Sequence, residues 1–256
     1  MNKLEFVRFQ TLDYACKEAI NTLCTNLTFV GKEKRVIMLT STQAHEGKSF
    51  LSMNILRTMS QLGKKVVLVD CDLRKSQIAA RYGARIVEGT GCGTVHYLAG
   101  MCSLNDALYE TNLPGAYMIP VGREVSNSLA LLSTPRLKQM FNYLSERFDL
   151  VIVDAPPVGV IIDAAEIAKS CDGTIFAVKY NATGRRELQE AKQQIVRTGC
   201  EILGAVLNDV DLEALSSKKY YNKSYYSYYS SDYYKPAGSK RSKDRKSAAS
   251  GSRKDR

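Results

Sequence analysis

The sequence predicts an α/β fold in which a mostly parallel sheet is covered by helices on both faces. Short apolar runs of strand length alternate with helical segments along most of the chain. These runs are almost continuously apolar, which is typical of strands buried on both sides. Hydrophobic residues make up 45% of the 256 residues, enough for a packed core.

The first half of the chain contains an alternating series of predicted elements. Residues 12–28 form an amphipathic helix. A buried strand at 34–41 follows, and then a helix at 47–63, for which Gly63 provides a stop signal. Valine-rich residues 64–72 form the second buried strand.

The second half continues the alternation. Ser133 or Thr134 caps a helix, and Pro135 lies in its first turn, where the missing N–H is tolerated. Two prolines end the strand after this helix. The predicted elements are a weaker strand at 116–122, the capped helix at 133–148, strands at 149–157 and 172–180, a helix at 184–199 and a last strand at 201–209.

Composition divides the chain into an N-terminal helical segment (1–30), a central domain (31–215) and a tail (216–256). Residues 218–256 hold twelve Lys and Arg against three Asp, so they carry +9 of the net charge of +10. The basic charge therefore belongs to the tail, and no nucleic-acid partner is predicted. The end of the tail has almost no large apolar residue, so we expect it to be disordered.

The lack of targeting signals and the pattern of cysteines predict a cytoplasmic protein. The chain has no apolar run of eighteen residues, so no membrane span is predicted. Its first ten residues lack the features of a signal peptide. The seven cysteines are odd in number and include no C-x-x-C pair, which favours reduced thiols over disulfides or a zinc site.

The stretch "STQAHEGKSF" (41–50) lies between the first predicted strand and its helix. Gly47-Lys48-Ser49 has the form of a phosphate-binding loop, whose backbone N–H groups cradle phosphates. Lys48 would neutralise the β- and γ-phosphates, and Ser49 would reach Mg²⁺. Thr42 stands where the usual pattern has its first glycine, so the loop is an altered one.

Three carboxylates follow two other predicted strands. Asp70 and Asp72 end "VVLVDCD", and Asp154 ends "LVIVD". Because the carboxyl ends of parallel strands meet at one edge of the sheet, these groups should converge on the loop. Mg²⁺ would relieve their mutual repulsion. Alternatively, Asp70 and Asp154 cap the turns that follow them, which explains either residue alone better than the set. The set predicts a P-loop NTPase-like fold.

The chain resembles the bacterial tyrosine autokinases of capsular and exopolysaccharide synthesis over about residues 10–234. That family carries an altered phosphate loop, here 41–49, a D-x-D-x-R motif, here 70–74, and a D-x-P-P motif, here 154–157. It also phosphorylates a tyrosine-rich C-terminus on itself. The tyrosines that the resemblance marks as acceptors are Tyr220, Tyr221, Tyr225, Tyr226, Tyr228, Tyr229, Tyr233 and Tyr234.

The resemblance implies roles for the motif residues. Asp72 and Asp154, with Ser49, would hold Mg²⁺ or its water shell, and Asp70 would accept the tyrosine proton, although Asp70 and Asp72 could exchange roles. Arg74 binds a phosphate or pairs with one of these carboxylates. Asn208 contacts adenine or forms a turn. The predicted ATP-binding residues are Ser41, Thr42, Gln43, Ala44, His45, Glu46, Gly47, Lys48, Ser49, Phe50, Arg74 and Asn208.

Three nearby residues have structural interpretations. Asp163 is predicted to be a helix N-cap. Cys71 should point away from its two aspartate neighbours, because side chains alternate along a strand. His45, which with Ala44 replaces the small residues usual in the loop, is predicted to be solvated.

The resemblance also implies partners. A transmembrane adaptor of the polysaccharide co-polymerase type would activate the kinase through its cytoplasmic segment and recruit it to the inner face of the membrane, and a tyrosine phosphatase would oppose it. Family members form rings through a glutamate and two arginines at three-residue spacing. Here those positions are Glu18, Asn21 and Cys24, so self-association is weakened.

Two alternatives remain open from the residues. A partitioning-type ATPase has a related loop, but such proteins carry an extra lysine where this chain has Gln43. A non-catalytic nucleotide-binding module could instead use a basic, aromatic tail to bind RNA or anionic membrane. The first alternative leaves the tyrosine cluster unexplained.

Overall fold

The computed structural model describes residues 2–31 and 33–210, which belong to a compact unit that spans Met1–Asp211. Its strands are β1 (Asn2–Phe6), β2 (Val36–Ser41), β3 (Val66–Asp70), β4 (Ala84–Glu88), β5 (Tyr109–Thr111), β6 (Ala116–Ile119), β7 (Leu150–Asp154), β8 (Gly173–Lys179) and β9 (Glu201–Asn208). Its helices are α1 (Tyr14–Phe29), α2 (Lys48–Gln61), α3 (Ile78–Tyr82), α4 (Thr94–Leu98), α5 (Leu104–Ala107), α6 (Ser128–Leu132), α7 (Pro135–Ser145), α8 (Asp163–Ala168) and α9 (Arg185–Val196).

The strands form one sheet with the order β4-β1-β5-β6-β3-β7-β2-β8-β9. The run from β6 to β9 is entirely parallel, while β4 and β5 introduce antiparallel pairs near the other end. All the long central strands therefore finish at the same side, which we call the carboxyl edge. The side where they begin is the amino edge.

Alternating side chains of the central strands enter two separate cores. Val67 and Val69 of β3 belong to the core that contains α7, α8 and α9. Val66 and Leu68 belong to the opposite core, which contains α1 and α2. A strand buried on both faces needs apolar residues at every position, which explains the continuous apolar runs in the sequence. The prediction of a mostly parallel sheet with helices on both faces is confirmed.

The predicted long elements are present, with most trimmed by a few residues at their ends. The three strands β1, β4 and β5 and the short helices were not predicted. Residues 2–6 form a strand that pairs with β4 and β5, so the predicted N-terminal helical segment is wrong at its start. These short segments depend on pairing with distant residues, which local pattern does not report. The predicted tail and its tyrosines lie outside the described residues.

The sequence predicts neither a membrane span nor a disulfide. Within the described ranges no helix combines the length and the hydropathy that crossing a membrane requires. The seven cysteines are free thiols.

Candidate functional site

The phosphate-loop sequence connects β2 to α2 at the carboxyl edge. Strand β2 is fully buried and ends at Ser41, and α2 begins at Lys48. Gly47 precedes the helix with φ of 97°, and a Cβ at this position would lie 1.9 Å from the amide nitrogen of Asn208. Only glycine fits both constraints. No side chain in the described ranges caps α2, so its first N–H groups are available to a phosphate.

A buried glutamate gives this altered loop its shape. One carboxylate oxygen of Glu46 accepts a hydrogen bond of 2.7 Å from the N–H of Gln43, within the loop. The other accepts from the N–H of Lys179 at 3.3 Å and from the hydroxyl of Thr183. The Asn208 amide donates to the Glu46 carbonyl at 3.0 Å. The loop is therefore tied to the ends of β8 and β9.

We expect Glu46→Ala to weaken ATP binding by roughly 10- to 100-fold, because bonds to a charged acceptor contribute about 1.5–3 kcal/mol and two N–H groups would lose their partner. Equilibrium titration with ATP measures this. Glu187→Ala is the matched control, since Glu187 is exposed and, among the described residues, accepts a single 3.4 Å bond from the Gln43 side chain. Equal affinities for the two variants would show that Glu46 does not organise the loop.

The predicted carboxylates converge beside the loop. Asp70 and Asp154 are buried and directly opposite each other on the adjacent strands β3 and β7. Asp154 accepts hydrogen bonds from the hydroxyls of Ser49 at 2.7 Å and Ser52 at 3.0 Å. Asp70 accepts from the Ser76 hydroxyl and from the N–H of Asp72 at 3.2 Å. The carboxylates and Ser49 thus form one cluster at the carboxyl edge.

Burial makes these carboxylates weaker acids than usual. It raises the pKa of Asp154 to about 6, against the lowering effect of Lys48 and the serine hydroxyls. Burial, and then the charge of Asp154, raises the pKa of Asp70 well above its ordinary value. The pKa of Asp72 is also raised by burial, while Lys48 lowers it. A bound cation would stabilise the charged form of all three groups.

Arg74 pairs with a carboxylate, but with none of these three. Its Nε lies 2.9 Å and its terminal nitrogen 3.4 Å from the two oxygens of Asp163. Asp163 is buried and also accepts a bond from the Ser128 hydroxyl. It occupies the first position of α8, and Ile162 is the N-cap, so the N-cap prediction for Asp163 is wrong. The pair links the loop after β3 to the loop after β7.

The other predicted site residues are distributed along the loop. The Ser41 hydroxyl donates to the Gln43 carbonyl at 2.6 Å, and the Thr42 hydroxyl is buried without a partner among the described residues. Ala44 and His45 are exposed, and His45 has φ of 64°. Phe50 is half-buried in α2. Cys71 lies in the core on the side of α7, away from the aspartates, as predicted.

Sequence analysis missed the residues that hold the site together. Each is a small polar or acidic side chain, and all but Ser76 have a partner far away in the chain. The only local signal was a glutamate directly before G-K-S, in a loop where small residues are usual. The residues missed in this role are Glu46, Ser52, Ser76, Ser128, Asp163 and Thr183.

The positions of the family's ring contact lie on α1. The Asn21 amide donates to the Glu18 carboxylate at 3.1 Å, within the helix. Cys24 is completely buried in the core. Neither residue carries a cation, so the weakened self-association stays a prediction.

Residues 34–198 match the family model described as "AAA domain". Tyrosine-protein kinase CpsD of Streptococcus agalactiae is 34% identical over 80% of this chain and 89% of its own length. CpsD of Streptococcus pneumoniae is 34% identical over 82% and 88%.

A solved kinase structure has a similar fold. The kinase domain of Escherichia coli tyrosine kinase ETK superposes with a TM-score of 0.71 at 27% identity, over 79% of this chain and 83% of that domain. These relatives support a tyrosine kinase over the partitioning-ATPase alternative. The chain therefore belongs to the bacterial tyrosine autokinases of capsule and exopolysaccharide synthesis.

Proposed function

We propose that this kinase transfers the γ-phosphate of ATP to tyrosines of the cluster at 220–234, using the group that meets at the carboxyl edge. The observation that carries the proposal is the convergence of Lys48, Ser49 and the carboxylates Asp70, Asp72 and Asp154 from three separate parts of the chain. A phosphoryl-transfer site needs a cation for the phosphates, a metal holder and a proton acceptor, and this group offers all three.

Lys48 holds the β- and γ-phosphates, with the N–H groups at the start of α2. Glu46 keeps the loop around them in shape, and Asn208 lies beside the loop where adenine would sit. Asp70 accepts the proton of the tyrosine hydroxyl, because its carboxylate lies at the carboxyl edge directly opposite Asp154, in the group that meets beside the phosphate loop. Arg74 stays on Asp163 and positions the segment that carries Asp72.

The residues present fit Mg²⁺. Ser49 and Asp154 are in contact, Asp72 is half-exposed beside them, and the raised pKa of both carboxyls marks an electrostatic environment that a cation would improve. Within the described ranges no group of three or more His, Cys, Asp or Glu could hold a metal by itself, so the protein would supply only part of the ligands. Mg²⁺ bound with ATP is usually held by one or two carboxylates plus phosphates and water. Mg²⁺ would neutralise charge on the transferring phosphate.

The proposal includes partners. A membrane adaptor presents a cytoplasmic segment that activates the kinase and brings it to the membrane, and a phosphatase removes the phosphates. Activation from outside is consistent with the ring positions, because Asn21 and Cys24 cannot supply the charge-assisted contacts of two arginines.

The test is phosphotyrosine formation by the purified full chain with Mg-ATP, with and without the adaptor's cytoplasmic segment. We expect phosphotyrosine on the wild type, more of it with the segment, and none on a variant whose eight cluster tyrosines are phenylalanine. Release of phosphate without phosphotyrosine would support a partitioning-type ATPase. Binding of ATP without any turnover would support the non-catalytic module.

A further inference from the structure

One arginine lies within the acidic segment that follows β3. Arg74 comes two residues after Asp72, and the N–H of Lys75 donates to the Asp72 carboxylate at 3.1 Å, so the chain turns around Arg74. The N–H of Asp72 donates to the Asp70 carboxylate at 3.2 Å. The backbone therefore places Arg74 beside the carboxylates of the site, and its side chain is long enough to turn toward them.

The three carboxylates of the site are nevertheless not paired with this arginine. Their hydrogen-bond donors are serine hydroxyls and backbone N–H groups, all of them neutral. Across residues 2–31 and 33–210, no lysine or arginine forms an ion pair with Asp70, Asp72 or Asp154. No guanidinium therefore competes for the oxygens that a metal ion would use.

A fourth carboxylate, Asp163 at the start of α8, pairs with Arg74 instead. The side chain of Asp163 is 1% exposed and that of Arg74 is 36% exposed. The oxygen that accepts from the Arg74 Nε also accepts from the hydroxyl of the buried Ser128. The N–H of Val125 donates to the carbonyl of Leu73, directly before the arginine, at 2.9 Å. These contacts hold the guanidinium on the side of α6 and α8.

The direction of Arg74 matters because of the chemistry of its side chain. A guanidinium is always charged in proteins and forms paired hydrogen bonds with a carboxylate. If it lay on Asp72 or Asp154, it would neutralise the charge that attracts Mg²⁺ and occupy oxygens that bind it. A buried carboxylate such as Asp163, in turn, needs a partner of opposite charge. One ion pair meets both requirements.

We infer that Asp163 is a positioning residue that holds the guanidinium of Arg74 away from Asp72 and Asp154, and so keeps their oxygens available to Mg²⁺. The inference rests on the proposed function, since it takes these two aspartates as the residues that meet the metal. Asp163 acts through Arg74 and contacts neither the metal nor the nucleotide.

The experiment measures how much Mg²⁺ the full-length protein needs to bind ADP. Mg²⁺ is titrated at a fixed ADP concentration, and the half-saturating Mg²⁺ concentration is compared between wild type and Asp163→Asn. We expect it to rise about tenfold or more in the variant, the scale on which the partners of metal-binding residues act. Affinity for ADP without Mg²⁺ should not fall, because a released guanidinium attracts phosphates.

A second substitution separates this role from simple bracing of two loops. In the Arg74→Met/Asp163→Asn variant no guanidinium is left to compete, so the half-saturating Mg²⁺ concentration should return close to the wild-type value. Arg74→Met alone should not raise it either. If the ion pair only held the loops together, all three variants would lose Mg²⁺ affinity alike. Phosphotyrosine formation is expected to stay low in the double variant, since the segment that carries Asp72 is no longer tied to α8.

The chain offers a matched control in an ion pair remote from the site. Arg85 lies 3.4 Å from Glu5 where β4 pairs with β1, at one end of the sheet. Glu5→Gln also releases an arginine and should leave the half-saturating Mg²⁺ concentration unchanged. Thermal unfolding confirms that each variant is folded. If Asp163→Asn is not, Arg74→Met and the double variant still decide between the two roles.

The outcomes separate this inference from the proposed function. Wild-type protein that binds ADP equally well without Mg²⁺ would overturn the proposed metal site, and the role of Asp163 with it. Wild type that needs Mg²⁺ for ADP but forms no phosphotyrosine with Mg-ATP would overturn the proposed phosphoryl transfer alone. If the wild type needs Mg²⁺, an unchanged requirement in Asp163→Asn overturns the inference. So does a double variant that is as impaired in Mg²⁺ binding as the single one.

Discussion

Replacing Lys48 by methionine is expected to reduce tyrosine phosphorylation by at least about 100-fold, the scale on which single electrostatic contacts to a transition state act. Lys48 is nearly buried at the first position of α2, and it lowers the pKa of both Asp154 and Asp72. Methionine has a similar length and fills the same space without the charge. The phosphates and the carboxylates would then face each other without their protein counter-charge.

The assay is phosphotyrosine formation by the full chain with Mg-ATP. Lys64→Met serves as the control, because Lys64 is an exposed lysine at the amino edge, and its activity should equal that of the wild type. Both variants should unfold cooperatively. A Lys48→Met protein that phosphorylates tyrosine at the wild-type rate would show that the phosphate site lies elsewhere.

Replacing Asp154 by asparagine is expected to change activity and stability in opposite directions. Activity should fall by at least about 100-fold, because the group that holds Ser49, and that we propose holds Mg²⁺, loses its charge. The nucleotide-free protein should become more stable at neutral pH. The asparagine has the same shape and can still meet the hydroxyls of Ser49 and Ser52.

The expected gain in stability follows from the pKa of Asp154, which the fold raises from 3.8 to about 6. A raised carboxyl pKa means that the folded state favours the neutral form. Below about pH 4 the carboxyl is neutral in both states and does not lower the free energy of unfolding. As the pH rises from about 4 to 6, it destabilises the fold increasingly. Above pH 6 the penalty is complete, at about 2–3 kcal/mol for a shift of this size.

Urea unfolding of wild type and Asp154→Asn between pH 4 and 8, without nucleotide or Mg²⁺, measures this difference. The two free energies of unfolding should be similar at pH 4 and diverge by pH 7, with the variant more stable. Asp172→Asn is a comparison at a carboxylate remote from the site, where the N–H groups of Arg35 and Val36 donate to the side chain. A variant less stable than wild type at pH 7 would contradict the electrostatic account.

Much of the fold could be predicted from local pattern, and the reason is burial. The central strands β2, β3 and β7 are buried at every position, so each appears as an unbroken apolar run. The amphipathic helices α7 and α9 were equally clear. The strands β1, β4 and β5 were missed, because β4 is largely exposed and β5 has only three residues. The strand conformation of β1 and β5 depends on partners more than a hundred residues away.

Some features of the candidate site could likewise be predicted from the sequence, and others could not. Lys48, Ser49, Asp70, Asp72 and Asp154 could be predicted, since motif spacing and the ends of the strands already place them at one edge. The contacts of Glu46 and the pairing of Arg74 with Asp163 could not. Apart from the bond between Gln43 and Glu46, these contacts join residues separated by dozens of positions. A sequence does not state which distant carboxylate an arginine will meet.

By itself the sequence determined the α/β class, the altered phosphate loop, the acidic motifs and the tyrosine cluster, because these follow from residue type and local spacing. Only the tertiary structure decided that Glu46 ties the loop to β8 and that Arg74 is held on Asp163. Those features depend on how the ends of non-adjacent strands are brought together. Which groups become buried there, and which stay in water, is settled by packing across the whole sheet.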